Sequence, residues 1–352
     1  MNTKSKSDTV LVSGGSGYLA SHIIQQLLNG GHTVHTTVRD LSNKQKYAHL
    51  IEIADRAPGE LKVFEADLLK PGSFEEAVQG CSRVIHTASP FIIGKVKDPR
   101  KTLVDPALEG TRNILEAVNK TESVKRVVLT SSLVAIMGDH KDAENIADGI
   151  FNEENWNTTS NLDHQPYSYS KTMAEKEAWK MARAQSRWSL VVMNPGFMLG
   201  PSLTKRNDSA SIDFMASMGN GTYKTGAPEG YLAIVDVRDV AEAHISGAMN
   251  GASGRNLLSA EVLSFHDVAG ILHKEFSNYP LPRRKVPKWL FVLIGPMFGL
   301  SRKYILRNIG IPVNVDNSRS KKSLNLAYRP VGETLTDHFH QLIEDGLLKD
   351  QG

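Results

Sequence analysis

A tyrosine and a lysine one helical turn apart are the residues of this sequence that could do chemistry together. They lie in the run Tyr167-Ser-Tyr-Ser-Lys171, which opens a stretch of helical character. Residues four apart share one helix face, so both can point at one ligand, whereas Tyr169 turns away. An ammonium about 4 Å from the phenol, at an effective dielectric of about 20, supplies roughly 4 kcal/mol, or about three pKa units. The pair therefore predicts a tyrosine that works as an acid or base near neutral pH, although the spacing alone also arises by chance.

Two adjacent serines could hold the oxygen on which such a tyrosine acts. Ser131 and Ser132 follow Thr130 at the end of a predicted strand, where ligands bind in α/β proteins. Neighbouring strand residues point to opposite faces, so only one serine should reach a substrate carbonyl. The spacing does not say which.

A glycine-rich turn predicts a cradle for a pyrophosphate. An apolar, strand-like run leads into Gly14-Gly-Ser-Gly17, and a helical pattern follows. Glycine removes the Cβ that would keep backbone N–H groups from a phosphate at a helix N-terminus. An ordinary turn is the alternative, but the flanking strand and helix favour a dinucleotide. The predicted contacts here are Gly14, Ser16, Gly17, Tyr18 and Leu19.

The end of the second predicted strand bears on which dinucleotide binds. Arg39 precedes Asp40 about where an acidic residue would bind the ribose 2′-hydroxyl of NAD. A guanidinium can pair bidentately with the 2′-phosphate of NADP, and Lys44 or Lys46 can add a second positive charge. These residues favour NADP (NADPH). Asp40 keeps NAD open, and Arg39 could instead be a solvated charge.

Two further strand ends supply predicted cofactor contacts. Asp67 can accept a hydrogen bond from the adenine amine while Leu68 lies against the ring; an Asp that begins a helix is the alternative. After the fourth strand, small residues let the backbone approach the nicotinamide ribose. These residues are Thr87, Ala88 and Ser89.

Strands and helices alternate along this part of the chain. After the first strand, strands are predicted at 32–39, 61–65, 84–87, 127–130 and 190–193, and helices at 18–28, 44–53, 103–118 and 167–184. Parallel strands need crossover connections and are buried on both faces. The pattern therefore predicts an α/β fold with a doubly wound parallel sheet, the Rossmann fold.

The alternation loosens beyond Pro195 and returns with a predicted strand at 231–235 and a helix at 237–249. We assign 1–195 plus 231–255 to a dinucleotide-binding domain and 196–230 plus 256–352 to a smaller substrate-binding lobe. Such a lobe would face the carboxyl ends of the strands, where ligands bind in open α/β sheets.

Composition narrows the classes of function. The 352 residues exceed the usual size of one core, and a net charge of +3 with scattered Lys and Arg argues against nucleic-acid binding. Cys81 is alone, which suits a reducing cytoplasm and a buried apolar role. The stretch 1–8 is polar, so we do not expect it to act as a signal peptide or an anchor. We expect a cytoplasmic protein without a metal site.

One apolar stretch, 289–300, interrupts this ordinary composition. It is too short to span a bilayer and contains Gly295 and Pro296. A buried helix near the substrate is the expected structure. The basic residues that flank it leave a membrane-surface role as the alternative.

Together, these motifs resemble the extended short-chain dehydrogenases/reductases. The nearest branch contains dihydroflavonol reductases, cinnamoyl-CoA reductases and their microbial carbonyl-reductase relatives. The resemblance runs from about residue 9 to a helix near 338. It rests on the glycine turn, Asp67-Leu68, 86–90, Thr130-Ser-Ser132, Tyr167-x-x-x-Lys171, Asn194-Pro195 and Asp236-Val-Arg-Asp239-Val-Ala.

The resemblance implies roles for individual residues. Ser132, the second serine, would join Tyr167 and Lys171 in a catalytic triad, with Lys171 also holding the nicotinamide ribose. Arg39 and Lys46 would bind the 2′-phosphate. The segment 195–198 would line the nicotinamide, with Pro195, Gly196 and Met198 as contacts.

One departure from the family bears on the substrate. Plant flavonoid reductases tend to carry a polar residue five positions after the catalytic serine, and Met137 stands there instead. A flavonoid is therefore disfavoured, and a simpler ketone or aldehyde is expected. The predicted apolar pocket consists of Phe91, Met137, Phe197 and Met215, although buried Met and Phe usually belong to a core.

The sequence thus predicts an NADPH-dependent carbonyl reductase that transfers a hydride directly to a ketone or aldehyde. A sugar-nucleotide epimerase or dehydratase using NAD is one alternative, and Arg39 argues against it. A binding protein that senses NADP without turnover is another, and the presence of both Tyr167 and Lys171 argues against that. A homodimer is compatible with the sequence.

Overall fold

The structure is a computed structural model, and it describes residues 7–89, 97–206 and 209–351. The strands in these ranges are β1 (Thr9–Ser13), β2 (Thr33–Val38), β3 (Glu60–Glu65), β4 (Arg83–His86), β5 (Arg126–Thr130), β6 (Ile150–Phe151), β7 (Ser189–Pro195), β8 (Phe197–Leu199), β9 (Tyr231–Asp236), β10 (Gly254–Leu258), β11 (Glu261–Ser264) and β12 (Asn314–Val315).

The α-helices of the same ranges are α1 (Tyr18–Asn29), α2 (Ala48–Arg56), α3 (Glu75–Val78), α4 (Asp105–Lys120), α5 (Pro166–Arg183), α6 (Ala210–Gly219), α7 (Val237–Met249), α8 (Phe265–His273), α9 (Lys288–Ile294), α10 (Arg302–Asn308), α11 (Ser318–Leu324) and α12 (Val331–Glu344). Short 3₁₀ turns cover Lys44–Lys46, Leu133–Ala135, His140–Asn145, Ala147–Gly149 and Gly295–Phe298, and a π turn covers Arg100–Val104.

Seven strands form the central sheet in the order β10-β7-β5-β4-β1-β2-β3. All of its pairings are parallel; Val10 of β1 pairs with Val34 of β2 on one side and with Arg83 of β4 on the other. Residues 10–12 are fully buried, as expected for a strand covered on both faces. The predicted doubly wound α/β fold is confirmed.

Each face of this sheet has its own core. On one face, α1 and α7 bury Ile23, Leu27 and Val240 against the strands. On the other face, α3 and α4 bury apolar residues that include Ile114, and α5 adds Ala178. Helices on both faces leave the carboxyl ends of the strands open to form a site.

A second group of elements lies beyond the central sheet. Strands β11, β9 and β8 form a three-stranded sheet in that order, and α6, α8 and α12 share a core with it. Strand β9 belongs to this small sheet, whereas β10 pairs with β7 in the central one. The division of the chain into two lobes with the bounds given above stays a prediction.

Most predicted elements agree with the structure to within a few residues. The helix predicted over 44–53 differs most, because a 3₁₀ turn ends at Lys46 and α2 begins only at Ala48. Tyr47, between them, has non-helical backbone angles and a buried ring whose hydroxyl donates to the carbonyl of Leu41 at 2.9 Å. Tertiary packing of this ring thus interrupts the helical pattern.

The expectation of a buried helix over 289–300 is wrong for one face of that segment. Helix α9 ends at Ile294, and although Phe291 is buried, Trp289, Leu293 and Met297 are 67%, 59% and 84% exposed. Within the described ranges, no helix combines the length and apolar character that crossing a membrane requires.

A buried ion pair joins α5 to the edge strand β10. Arg255 Nε donates to Glu175 Oε1 at 2.6 Å, and both side chains are withdrawn from water. The guanidinium also lies 3.9 Å from the ring centroid of Trp156 and donates to the carbonyl of Glu153. A charge buried this deeply depends on its partner, since the carboxylate alone would have lost its hydration without compensation.

We expect Arg255→Ala to lower the free energy of unfolding by about 3–5 kcal/mol, because Glu175 would remain buried without its cation. Arg112→Ala is the matched control, since Arg112 pairs with Glu177 of the same helix at 2.9 Å but is 45% exposed. That loss should stay below about 1 kcal/mol. Urea unfolding of both variants measures the difference, and equal losses would contradict the argument from burial.

Candidate active site

One large cleft opens at the carboxyl ends of the central strands. Its described part encloses about 3500 Å³, including space open to solvent, which is ample for a dinucleotide and a second small molecule. The residues considered in the sequence analysis that line it include Gly14, Ser16, Gly17, Tyr18, Leu19, Arg39, Asp40, Lys46, Leu68, Thr87, Ala88, Ser89, Ser131, Ser132, Met137, Tyr167, Lys171, Pro195, Gly196, Phe197 and Met198.

The glycine turn lies between β1 and α1 at the floor of this cleft. Gly14 has φ of +72°, and a Cβ at this position would lie 3.0 Å from the Cβ of Ala88. Its N–H donates to Thr37 Oγ1 at 3.0 Å, which fixes the turn against the end of β2. Gly17 then precedes the first turn of α1, whose N–H groups have no intrahelical acceptor. A side chain at Gly14 would fill the cradle that a phosphate needs.

Ser13 couples the glycine turn to the end of β4. Its hydroxyl oxygen lies 2.8 Å from Nδ1 of His86 and accepts the N–H groups of Thr87 and Ala88 at 3.1 and 3.2 Å. The Thr87 hydroxyl donates back to the carbonyl of Ser13 at 2.6 Å. The segment predicted to approach a nicotinamide ribose is therefore held beside the glycines.

The end of β2 presents positive charge to the cleft. Arg39 and Lys46 are exposed and line it. Asp40 Oδ1 accepts both the N–H and the hydroxyl of Ser42, at 2.8 and 2.5 Å, and these hydrogen bonds lower the pKa of Asp40. Asp40 also lines the cleft, but one oxygen of its carboxylate is thus engaged in a local turn.

The residues after β3 divide between the cleft and a turn. Leu68 lines the cleft, as does Ala66. Asp67 is exposed and not among the residues that line the cleft; its Oδ1 accepts the N–H of Leu69 at 2.9 Å. The structure thus brings Leu68, but not Asp67, to the site, and an adenine contact by Asp67 stays a prediction.

A cation that the sequence analysis missed reaches the glycine turn from the far side of the cleft. Arg206 Nη1 donates to the carbonyl of Ser16 at 3.4 Å, and Lys205 also lines the cleft. Both belong to the irregular segment between β8 and α6, where no periodicity marks a functional residue. Only the fold shows that this segment meets the phosphate cradle.

The structure separates the two serines after β5. The Ser131 hydroxyl is buried and donates to Glu175 Oε2 at 2.5 Å. Ser132 is less buried, and its Oγ accepts the N–H of Val134 at 3.3 Å, which leaves its hydroxyl proton available to another acceptor in the cleft. This arrangement favours Ser132 over Ser131 as a hydrogen-bond donor toward the cleft.

Tyr167 and Lys171 lie in the first turns of α5 and both line the cleft. Burial raises the pKa of the Tyr167 phenol to about 12. Burial also lowers the pKa of Lys171 to about 8, and the carboxylate of Glu175, one turn further along, opposes that lowering. The lowering of the phenol pKa that the sequence predicts is not found here, because desolvation outweighs it, and the phenol is protonated at neutral pH.

His86 is excluded from acid–base work at neutral pH. Burial, together with the nearby ammonium of Lys171, lowers its pKa to about 3. The ring is neutral and serves as the hydrogen-bond partner of Ser13. Its position near Lys171 shows that the carboxyl end of β4 lies beside the first turns of α5.

The end of the cleft beyond Tyr167 is mostly apolar. Met137 and Phe197 line it, whereas Met215 is fully buried between α6 and the small sheet, so its apolar character serves packing there. Phe91 lies outside the described residues. Sequence reasoning missed Tyr304 and Asn308 of α10, which supply polar groups to the same end. Gly196 lets β7 pass the small sheet, since a Cβ would lie 2.2 Å from the carbonyl oxygen of Ala233.

A buried carboxylate fixes α10 beside the start of α5. Asp139 is fully buried and accepts from His164 Nε2 at 2.9 Å, Gln165 Nε2 at 2.7 Å and Asn308 Nδ2 at 2.7 Å, and it also pairs with Arg307. Burial raises the pKa of Asp139, but the hydrogen bonds from Asn308, Arg307 and His164 outweigh this effect and hold the pKa below its usual range. The residues just before Tyr167 are thereby tied to the helix that closes the apolar end.

The residues present suit a dinucleotide. Gly14 has no Cβ, which would otherwise meet Ala88 beside the turn; Arg206 contacts the turn, and Arg39 and Lys46 line the same cleft. Phosphate groups favour such a concentration of N–H donors and positive charge. Among the described residues, no cluster of three or more His, Cys, Asp or Glu is placed to hold a metal ion.

The chain matches known proteins over most of its length. Residues 10–257 match the model of the NAD dependent epimerase/dehydratase family. A cinnamoyl-CoA reductase of Medicago truncatula is 36% identical over 339 residues, covering 93% of this chain and 100% of that protein. An anthocyanidin reductase of Vitis vinifera is 36% identical over 287 residues, covering 78% of this chain and 82% of that protein.

Solved structures give a similar result. The yeast methylglyoxal/isovaleraldehyde reductase Gre2, complexed with NADPH, has a TM-score of 0.77 and 29% identity, covering 96% of this chain and 98% of that one. Gre2 of Candida albicans in complex with NADPH has a TM-score of 0.76 and 26% identity, covering 96% and 99%.

Proposed function

We propose that this chain, which belongs to the NAD-dependent epimerase/dehydratase family of extended short-chain dehydrogenases/reductases, is an NADPH-dependent carbonyl reductase. The chain is a reductase of that family. We propose that it converts ketones or aldehydes into alcohols. The observation that carries it is the grouping of Ser132, Tyr167 and Lys171 in the cleft that also contains the glycine turn.

NADPH is the cofactor of this reductase. The two Gre2 structures that share its fold and 29% and 26% of its sequence are complexes with NADPH. Arg39 and Lys46 line the cleft and would bind the 2′-phosphate, and the hydrogen bonds from Ser42 to Asp40 Oδ1 support this choice over NAD. Arg206 adds a positive charge beside the glycine turn.

The residues of the chain would divide the work on the substrate oxygen. Bound NADPH supplies the hydride that reduces the carbonyl carbon. Ser132 donates a hydrogen bond to the carbonyl oxygen, and Tyr167 gives its phenolic proton to that oxygen as negative charge develops on it. The ammonium of Lys171 stabilises the phenolate that is left. Ser131 does not take part, because its hydroxyl donates to Glu175. The carboxylate of Glu175 also helps to keep Lys171 charged.

The substrate is proposed to be a small, largely apolar ketone or aldehyde. Met137 lines the cleft five positions after Ser132, at the point where a polar side chain would hold substrate hydroxyls. Phe197 adds an aromatic wall, while Tyr304 and Asn308 offer polar contacts at the far end. This composition supports binding of an aryl or alkyl group next to the carbonyl.

Turnover with a substrate panel tests the proposal. Small aromatic ketones, β-keto esters or aldehydes should be reduced by NADPH with a far higher kcat/KM than a dihydroflavonol.

Tyr167→Phe should remove nearly all turnover while NADPH binding stays almost intact, because only the phenolic oxygen is lost. Ser132→Ala should lower kcat by about a hundredfold or more, since a donor to the developing charge is removed.

Ser131→Ala is the matched control for Ser132→Ala, because the Ser131 hydroxyl donates to Glu175. Its effect on kcat should be mild. A Tyr167→Phe enzyme that keeps more than about a tenth of the wild-type turnover would show that the proton comes from elsewhere. A dihydroflavonol as the best substrate would show that the assignment of the substrate class is wrong.

Cofactor choice gives a separate prediction. Arg39→Ala should raise the KM for NADPH at least about tenfold, which corresponds to about 1.4 kcal/mol, because the 2′-phosphate loses its guanidinium partner. The KM for NADH should barely change. Initial rates with each cofactor measure this difference. An equal rise in KM for NADPH and NADH would show that Arg39 does not bind the 2′-phosphate.

The pH dependence follows from the lysine. Its charged form is required, and with a pKa of about 8 that form is lost as the pH rises. The kcat/KM for reduction, which reports the groups of the enzyme before the substrate binds, should therefore be constant below this pH and fall as the pH rises through about 8. Glu175→Gln removes the charge that opposes the lowered pKa, so the fall should begin at a lower pH.

Glu177→Gln is the control for this experiment, because Glu177 lies on the same helix but pairs with Arg112 at the surface. Its pH profile should match that of the wild type. Circular dichroism shows whether each variant is folded at the assay temperature. An unchanged profile in folded Glu175→Gln would mean that Lys171 is not the titrating group.

A further inference from the structure

Four large apolar side chains lie together on the outer surface of a helical hairpin formed by residues 288–308. Trp289, Leu293, Met297 and Leu306 are 67%, 59%, 84% and 54% exposed. Trp289 and Leu293 are one turn apart on α9, and Leu306 projects from α10. We call these four residues the outer face of the hairpin.

Packing on the opposite side holds this face outward. Phe291, Ile305 and Ile309 form a small core between the two helices, and a Cβ at Gly295 would come within 2.4 Å of Ile305. Lys288 Nζ donates to the carbonyl of Leu306 at 3.1 Å, which joins the two helices at the edge of the outer face. The outer side chains therefore cannot turn inward without displacing this core.

The hairpin and its flanks carry a concentration of positive charge. Residues 283–307 contain seven of the 41 Lys and Arg of the chain and none of its 38 Asp and Glu. The rest of the chain thus has 34 basic and 38 acidic residues. Lys285 pairs with Glu229 and Arg307 turns inward to Asp139, while Arg283, Arg284, Arg302 and Lys303 are exposed.

Apolar side chains ringed by cations restrict the kind of partner. A second copy that packed its hairpin against this one by two-fold symmetry would bring the same cations close together, and residues 283–307 contain no acidic residue to offset them. An anionic lipid surface suits both features, because Trp and Leu enter the boundary of headgroups and acyl chains while Lys and Arg meet the lipid phosphates. Helix α9 has seven residues and is about 10 Å long, so it could only lie along such a surface.

We propose that the hairpin is a docking surface for anionic lipid bilayers, with the outer face inserted at the headgroup boundary. The hairpin also forms one wall of the cleft. Tyr304 and Asn308 on the inner side of α10 line its apolar end. A docked protein would therefore hold that end close to the membrane, from which an apolar molecule could reach it.

Vesicle flotation tests the proposal without any turnover, so its outcome is separate from that of the proposed reductase activity. The full chain should float with vesicles of phosphatidylcholine containing phosphatidylserine and much less with phosphatidylcholine alone. Leu293→Ser and the pair Arg283→Glu and Arg284→Glu should each lower binding at least about tenfold. Leu69→Ser is the matched control, because Leu69 is also a leucine about half exposed, at 49%, but it follows β3 and does not belong to the hairpin.

Tryptophan emission gives a second readout. Trp289 is the only one of the four tryptophans among the strongly exposed apolar residues, so vesicles should shift the emission to shorter wavelength. Trp289→Phe should still float but lose that shift. Both readouts use folded protein, which can be confirmed by NADPH consumption or circular dichroism.

Three results would overturn the proposal. The first is equal flotation of wild type and Leu293→Ser in folded form. The second is a wild-type dimer in sedimentation experiments that Leu293→Ser converts to a monomer, since the face would then be covered by a second copy. The third is binding to a polyanion such as RNA without binding to any vesicle.

Discussion

The buried carboxylate of Glu175 is the group on which the arrangement of this site depends. It accepts hydrogen bonds from Ser131, Asn194, Trp179 and Arg255, so it joins the end of β5, β7 and β10 to α5. A carboxylate withdrawn from water is tolerated only because each oxygen is satisfied and one partner is charged. The satisfied network fixes α5 relative to the sheet, and α5 carries Tyr167 and Lys171.

The same hydrogen bonds influence which serine hydroxyl is available to the cleft. By engaging Ser131, Glu175 leaves the neighbouring Ser132 as the serine whose hydroxyl can reach a ligand. By lying one turn after Lys171, it opposes the effect of burial on the lysine pKa. One group thus sets both the geometry of the proposed hydrogen-bond donor and the charge beside the proposed proton donor.

Short-range patterns in the sequence predicted the fold and most of the cleft, because a parallel sheet requires apolar strands, crossover helices and small residues at the strand ends. They could not choose between Ser131 and Ser132, since that depends on Glu175, which is distant in sequence. They also missed Arg206, which reaches Ser16 from an irregular segment. Burial was misjudged in both directions: Met215 packs in a core away from the cleft, and Trp289 is largely exposed.

Helix α10 links the outer face to the cleft, because Leu306 is exposed while the next two residues, Arg307 and Asn308, both contact the buried Asp139. Leu306 lies on the outer face, Arg307 pairs with Asp139 and Asp142, and Asn308 lines the cleft while donating to Asp139. Since Asp139 also accepts from His164 and Gln165, directly before α5, a shift of α10 would be transmitted to the helix that carries Tyr167. A surface that fixes the outer side of this helix would therefore also stabilise the wall of the cleft beside the reacting groups.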